Sequence, residues 1–237
     1  VPQPRVNILD TFVKAPFSLS NEQRRLHDAY VRRWKFYLGQ QETYLGEDGE
    51  LQLIVNYARA LANKINDFMF GKGFVFRGNV DLWPFAEPVI SQVWRGTKKK
   101  LFGNELGQMG GVTGDVYVKV WWDDDPSSVN YNTVQFTILP STNVVPMWEP
   151  GRTGKDRKMS ECRVIQVEKQ ISSEGNEEPS KVYYTTIYNR EEIIYYKDNV
   201  ELSRDVNQLG EIPIVHIQNQ PLAGDYYGVS DIEDLMN

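Results

Sequence analysis

The sequence predicts an α+β protein in which helices pack on antiparallel β-strands. Three observations predict it. The first half carries apolar residues at helical spacing. The second half carries short β-branched and aromatic runs separated by turn-forming segments. Between them lies Gly114 to Pro146, two runs of period two joined by a polar segment.

In that central stretch Val116, Val118, Val120 and Trp122 occupy every second position, with Tyr117, Lys119 and Trp121 between them. A second run repeats the pattern with Val134, Phe136 and Ile138, leaving Gln135 and Thr137 on the other face. Asp123–Asn132, rich in Asp, Ser and Asn, has turn chemistry, so the two runs form an antiparallel pair. An isolated pair is marginally stable and needs cover. Each buried Val, Ile or Phe contributes about 1.5–3 kcal/mol. The uncharged face is therefore expected to look onto helices of the first half.

The helices follow from periodicity and capping. Residues 1–19 hold three prolines and no period, and read as an extended arm. Ser20 with Gln23 makes a capping box that opens a helix to about Leu38, with Gly39 as its stop. Leu26, Tyr30, Val31, Trp34 and Tyr37 form its apolar stripe; Arg24, Arg25, Arg32 and Arg33 occupy much of the remainder, as a solvated face or a contact with a subunit or DNA. The second helix places Leu51, Ile54 or Val55, Ala58, Leu61 or Ala62, Ile65, and Phe68 or Met69 at threes and fours, and ends at Gly71. Its alanines permit close approach of another helix. Gly73–Phe76 reads as a short strand. Asp81–Gly111 is helical, with Pro84 and Pro88 near its start and a break at Gly96-Thr97. After the surface loop following Pro150, strands are expected at Arg163–Ile171, Lys181–Tyr188, Glu192–Tyr196 and Ile212–Ile217.

Composition bounds the function. A chain of 237 residues can bury one large core or two small ones. No apolar run approaches the roughly 20 residues that span a bilayer, and the opening VPQPRVNILD lacks the pattern of a secretory signal. A net charge of −6 argues against tight, sequence-independent nucleic-acid binding, while permitting DNA to pass without sticking. The single cysteine, Cys162, cannot form an internal disulfide and reads as a small residue on a half-buried strand.

No residue set carries catalytic chemistry, and no catalytic, cofactor or metal site is assigned. His27 and His216 have no partner at zinc-ligand spacing. Asp123, Asp124 and Asp125 lack the alternating ligands, central Gly and distal Glu of a calcium loop, and read as the cap of a hairpin. Lys98, Lys99 and Lys100 read as a solvated helix face. GRTGKDRK lacks the spacing of a phosphate-binding loop. No Gly-x-Ser-x-Gly elbow is present, and no residue is singled out as contacting DNA.

The order of the motifs resembles the portal proteins of tailed bacteriophages. Asn63, Lys64, Phe68, Gly71 and Gly73 form a helix-to-glycine turn. Gly114–Val120 (GDVYVKV) leads to acidic residues, and Leu139-Pro140 precedes Val144-Val145-Pro146. After a tyrosine-rich meander, Glu211–Val215 (EIPIV) reaches Gln218-Asn219, with Tyr227–Ile232 (YGVSDI) just beyond. The resemblance implies a structural, non-enzymatic subunit of a ring, usually of twelve, at one capsid vertex. Double-stranded DNA is packaged, retained and ejected through that ring. Implied partners are further copies of the chain, the major capsid protein, head-completion or adaptor proteins, and the terminase large subunit through a clip domain outside this sequence. The implied location is the virion, after assembly in the host cytoplasm, with no membrane and no cofactor. The implied division is an arm over 1–19, a wing-like domain over 20–229 and the start of a stem helix over 230–237. Ser230 with Glu233 makes a second capping box there, and the helix it opens is expected to continue in a longer parent protein. Abundant aromatics and arginines suit a large obligate interface, with Trp121, Trp148, Tyr226 and Tyr227 as candidate anchors. Two other readings are a carbohydrate-binding β-rich module, from Trp and Tyr on strands, and a metal-dependent hydrolase using Asp123–Asp125.

Overall fold

The computed structural model describes residues 19–40, 56–72, 76–78, 81–96, 100–151, 157–170 and 180–236. Four helices come first: α1 (Asn21–Tyr37), α2 (Tyr57–Phe70), α3 (Trp83–Gly96) and α4 (Lys100–Thr113). Eight strands follow: β1 (Asp115–Asp123), β2 (Thr133–Leu139), β3 (Val144–Trp148), β4 (Met159–Gln170), β5 (Ser180–Tyr188), β6 (Glu192–Lys197), β7 (Val200–Val206) and β8 (Ile214–Gln218). They form a three-stranded sheet ordered β2-β1-β8 and a five-stranded sheet ordered β3-β4-β5-β6-β7. The fold is α+β, as the sequence predicts. The chain divides into two compact units, one of residues 1–31, 140–214 and 223–226, the other of 32–139, 215–222 and 227–237.

In the first unit the Ser20–Gln23 box closes α1 as expected: Gln23 N donates to Ser20 Oγ and Ser20 N donates to Gln23 Oε1. The five-stranded sheet is an antiparallel meander whose core joins Val145, Ile165 and Tyr183, with Leu19 and Val167 against them. Val164 and Ile165 on β4, and Ile187 and Tyr188 on β5, are buried at successive positions, so both faces of the central strands are covered. Cys162 is fully buried between Pro146 and Tyr188, and burial pushes its thiol well above the ordinary range. Pro146 is tolerated because β3 is an edge strand.

Strand β7 escapes the sequence reading. Val200, Leu202 and Val206 alternate with Glu201, Ser203 and Asp205, but Arg204 interrupts the apolar side, and all seven residues are exposed. It is placed instead by a two-residue turn, Asp198-Asn199, in which both residues have positive φ (45° and 75°). Asp198 secures that turn: its backbone N–H donates to Tyr183 O and its carboxylate accepts from Tyr183 N.

In the second unit Tyr37 joins three helices. Its hydroxyl donates to Asn63 Oδ1 on α2 (2.7 Å) and accepts from Gln108 Nε2 on α4, while its carbonyl accepts from Asn56 Nδ2. Asn56 also caps α2 by accepting from Arg59 N. The expected close approach of helices is that of α2 and α4: Ala58 and Ala62 are buried, and a side chain at Gly107 would collide with Asn66 and Phe70. Only the alanine side of the expected α2 stripe is covered, because Leu61, Phe68 and Met69 stand exposed. Residues 51–55 and the 73–75 part of the expected Gly73–Phe76 strand lie outside the described residues, and Phe76 itself is not in a strand. The break between α3 and α4 falls at Gly96 as expected, although Pro88 lies inside α3 rather than in its first turn. Gly110 and Gly111 remain helical; Gly114, at φ +89°, turns the chain out of α4.

The hairpin registers Val118 with Ile138, Val120 with Phe136 and Trp122 with Val134. Its Val-rich face meets helices α3 and α4 as predicted where Val116 and Val118 are buried, but at the far end Trp122 stands exposed. An aromatic series runs from Phe76 to Trp94, Phe102 and Phe136, with centroids 5.1, 5.9 and 6.3 Å apart. The opposite face is not half wet near the start of β1, where Asp115 and Tyr117 are fully buried. Ile165→Ala is expected to destabilise the first unit by about 2–5 kcal/mol in urea unfolding, whereas Val206→Thr on β7 should change it by less than about 0.5 kcal/mol. Cys162 should react with an aromatic disulfide reagent only as fast as the protein unfolds, read by the absorbance of the released thiolate with and without denaturant.

Candidate functional site

An α-helix leaves its last carbonyls without intrahelical donors. At the end of α4 the returning segment 219–231, together with Arg33, supplies most of them. Gly110 O accepts from Gly114 N (2.7 Å), Gly111 O from Asp231 N (2.9 Å) and Gly114 O from Asn219 N (2.8 Å). Val112 O accepts from the Ser230 hydroxyl (2.7 Å), and Thr113 O from Arg33 Nη1.

The segment is itself held closed. Asn219 Nδ2 donates to Val229 O and to Asp231 Oδ1, and Gln220 Nε2 donates to the same Asp231 oxygen. Val229 N donates back to Asn219 O. Gly228 passes so close to Gly114 and Asn219 that a Cβ would collide with both backbones. Below them Asp115 Oδ1 accepts from Gly228 N (2.9 Å) and from His216 Nε2 (2.7 Å). A carboxylate has no proton to give, so Nε2 carries the hydrogen. His216 stacks on Tyr117, at 4.7 Å and 16°, and meets Tyr227 edge-on.

This arrangement positions backbone. Asp115 is completely buried and the His216 side chain is 3% exposed, so the pair is closed to solvent. The cleft between α2, α4, β1 and β8 is lined mainly by Ile65, Met69, Phe70, Val116 and Ile217. Its one lining carboxylate, Asp231, is held by Asn219 and Gln220.

The residues weighed from sequence fall as follows. Asp123, Asp124 and Asp125 cap the hairpin as expected: Asp123 accepts from Asp125 N and the Ser128 hydroxyl, and Asp125 accepts from Ser127 N and its hydroxyl. The Ser127 bonds hold the Asp125 carboxyl below its usual value. Burial lowers the His27 imidazole below its ordinary 6.5, against a smaller opposing pull from Asp28 at 3.8 Å. Lys98 and Lys99 lie outside the described residues; Lys100 opens α4. Among the described residues no group of three or more His, Cys, Asp or Glu is placed to hold a metal. Trp148 is an anchor within the chain, stacked on Tyr226 at 5.4 Å with Arg157 over its ring.

Two expectations are corrected. Arg33 is not part of a solvated face: its side chain is 12% exposed and its Nε donates to Glu233 Oε2 (2.6 Å). Its position, three residues after Tyr30 and four before Tyr37, already sets it at the edge of the apolar stripe. Ser230 does not open an α-helix within the described residues. Its hydroxyl is spent on the α4 carbonyls and Glu233 is held by Arg33, so the reciprocal bonds of a capping box are not made, and Glu233–Leu235 forms one 3₁₀ turn.

The family described as "Phage portal protein, SPP1 Gp6-like" matches residues 47–237. The chain belongs to the phage portal proteins. No individually curated protein matches it. Some of the residues that carry the resemblance in sequence (Gly114, Asp115, Asn219, Gly228, Ser230 and Asp231) meet in this one junction. Portal proteins are structural proteins of the phage particle, and the family implies an oligomeric ring associated with capsid components. Among the described residues no helix is long and apolar enough to cross a membrane. Asp115→Ala in this portal chain should cost about 2–4 kcal/mol in chemical unfolding, since it leaves the buried Gly228 N–H and His216 N–H without their acceptor.

Proposed function

We propose that the chain is the wing-bearing part of a portal subunit, with an arm over residues 1–19, the wing over 20–229 and the approach to a stem helix over 230–237. Subunits close into a ring of twelve at a single capsid vertex. Double-stranded DNA is packaged, retained and ejected through it. The major capsid protein surrounds the wing. Head-completion or adaptor proteins and the terminase large subunit attach through the ring's clip. Assembly takes place in the host cytoplasm.

The observation that carries this reading is the junction at Asp115. It ties the end of a helix, a sheet and the segment leading to Ile232 into one buried hydrogen-bonded assembly. Such a fixed exit suits a chain that must deliver a stem helix at the same angle in every subunit. The 3₁₀ turn at Glu233–Leu235, clamped by Arg33, supports the same point. An overall charge of −6 supports a passage along which DNA slides. Electron microscopy and native mass measurement of the full-length protein provide the test. A closed ring with twelvefold averages is expected; a full-length protein that stays monomeric at high concentration overturns the proposal.

A further inference from the structure

Two surface patches of opposite character remain outside the cores and the junction. One is the tip of the β1–β2 hairpin. Trp122 and Tyr131 are about half exposed and Val129 wholly so, beside the exposed carboxylates of Asp124 and Asp125. This tip is preorganised. Asn132 N donates to Asp123 O, Tyr131 N to Ser128 O, Asn130 N to Ser128 Oγ and the Thr133 hydroxyl to Asn130 O. Asn132 sits at φ +61° to close the turn. The loop thus bonds to itself while its apolar side chains point outward. Ordering such a loop on docking costs little further entropy.

The other patch is the outer face of α1. Arg24, Arg25, Arg32 and Lys35 are exposed there, with Asp28 among them and Glu22 at the helix start, so the face is net positive. From Arg25 to Lys35 it extends about 15 Å at the rise of an α-helix. Unlike Arg33, three of these four cations make no ion pair within the described residues, and Arg32 only approaches Glu233 at 3.7 Å.

We propose that the acidic aromatic hairpin tip of one copy docks on the basic face of α1 of the next copy. The proposal rests on the ring reading above and names a contact within that ring. Charge selects the pairing. Two tips repel each other, and so do two α1 faces, whereas a tip and an α1 face attract. A self-complementary two-fold dimer through either patch is thereby disfavoured. The pairing that remains joins different patches; repeated head to tail with a closing rotation it generates a ring, whereas a reciprocal two-fold exchange of the same patches gives a dimer. Trp, Tyr and Arg are the side chains that dominate interface energies, and arginine stacks favourably over aromatic rings.

Charge reversal in the full-length protein tests the contact. Asp124→Lys with Asp125→Lys, and separately Arg25→Glu with Lys35→Glu, should each weaken assembly at least tenfold in sedimentation or native mass measurement. Combining all four substitutions should recover most of it. Val129→Ala with Tyr131→Ala should weaken assembly without changing its salt dependence. Circular dichroism melts identify variants that are merely unfolded; for the α1 pair, Arg24→Gln with Lys35→Gln then replaces the reversal. Parent-like assembly of both folded charge-reversed proteins, or no recovery in the combination, overturns the contact and leaves the ring reading standing. Loss of duplex DNA retention by the α1 variants alone, with assembly intact, assigns that face to nucleic acid and also overturns it. A parent that forms no ring overturns both readings.

Discussion

The unpaired carbonyls at the end of α4 are the constraint on which the second unit depends. A helix that ends beside a sheet, in the protein interior, cannot leave those acceptors to water. Apart from the turn bond that Gly114 gives to Gly110, the donors come from a segment more than a hundred residues later, or from Arg33. The solution works only if the chain returns very close to Gly114, and that explains Gly228: no side chain fits between the two backbones. The buried carboxylate of Asp115 then holds the Gly228 amide, and His216 and Tyr117 fill the space around it. Backbone satisfaction, steric closeness and a buried polar pair are parts of one arrangement.

This arrangement has the character of a joint. Its backbone groups are bonded chiefly within the arrangement, and solvent does not reach its ionisable pair. Membership of the portal family gives the joint a purpose. A ring subunit must present its surfaces at one repeated geometry, and a network whose members are mutually satisfied rigidifies the segment it holds.

The two units bury themselves differently. The five-stranded sheet is deeply buried at β4 and β5 and becomes fully exposed at β7, so its stability is concentrated in the middle of the meander. The helical part of the other unit leaves Tyr57, Phe68, Phe85 and Val89 open on α2 and α3.

Much of the fold is legible in the order of the residues. Period-two alternation reveals β1 and β2, and β-branched and aromatic runs between turn-forming segments reveal β4, β5 and β6. The Ser20–Gln23 box is legible because its bonds are local. Beyond local range the reading weakens. Strand β7 goes unseen because Arg204 interrupts the alternation of Val200, Leu202 and Val206, and the strand is placed by its turn and its pairing with β6 rather than by burial. Ser230 and Glu233 carry the letters of a capping box, yet their side chains go to Val112 and Arg33, partners that no nearby residue announces. Arg33 looks like its neighbours until the fold places Thr113 and Glu233 beside it.

By itself, the sequence determined the α+β class, the hairpin with its capped acidic turn and the resemblance to portal proteins. All of these follow from spacing, residue type and motif order. The tertiary structure alone decided that Asp115, His216, Asn219, Gly228, Ser230 and Asp231 form one joint. Those residues come from segments about a hundred positions apart, and only the folded backbone brings donor to acceptor.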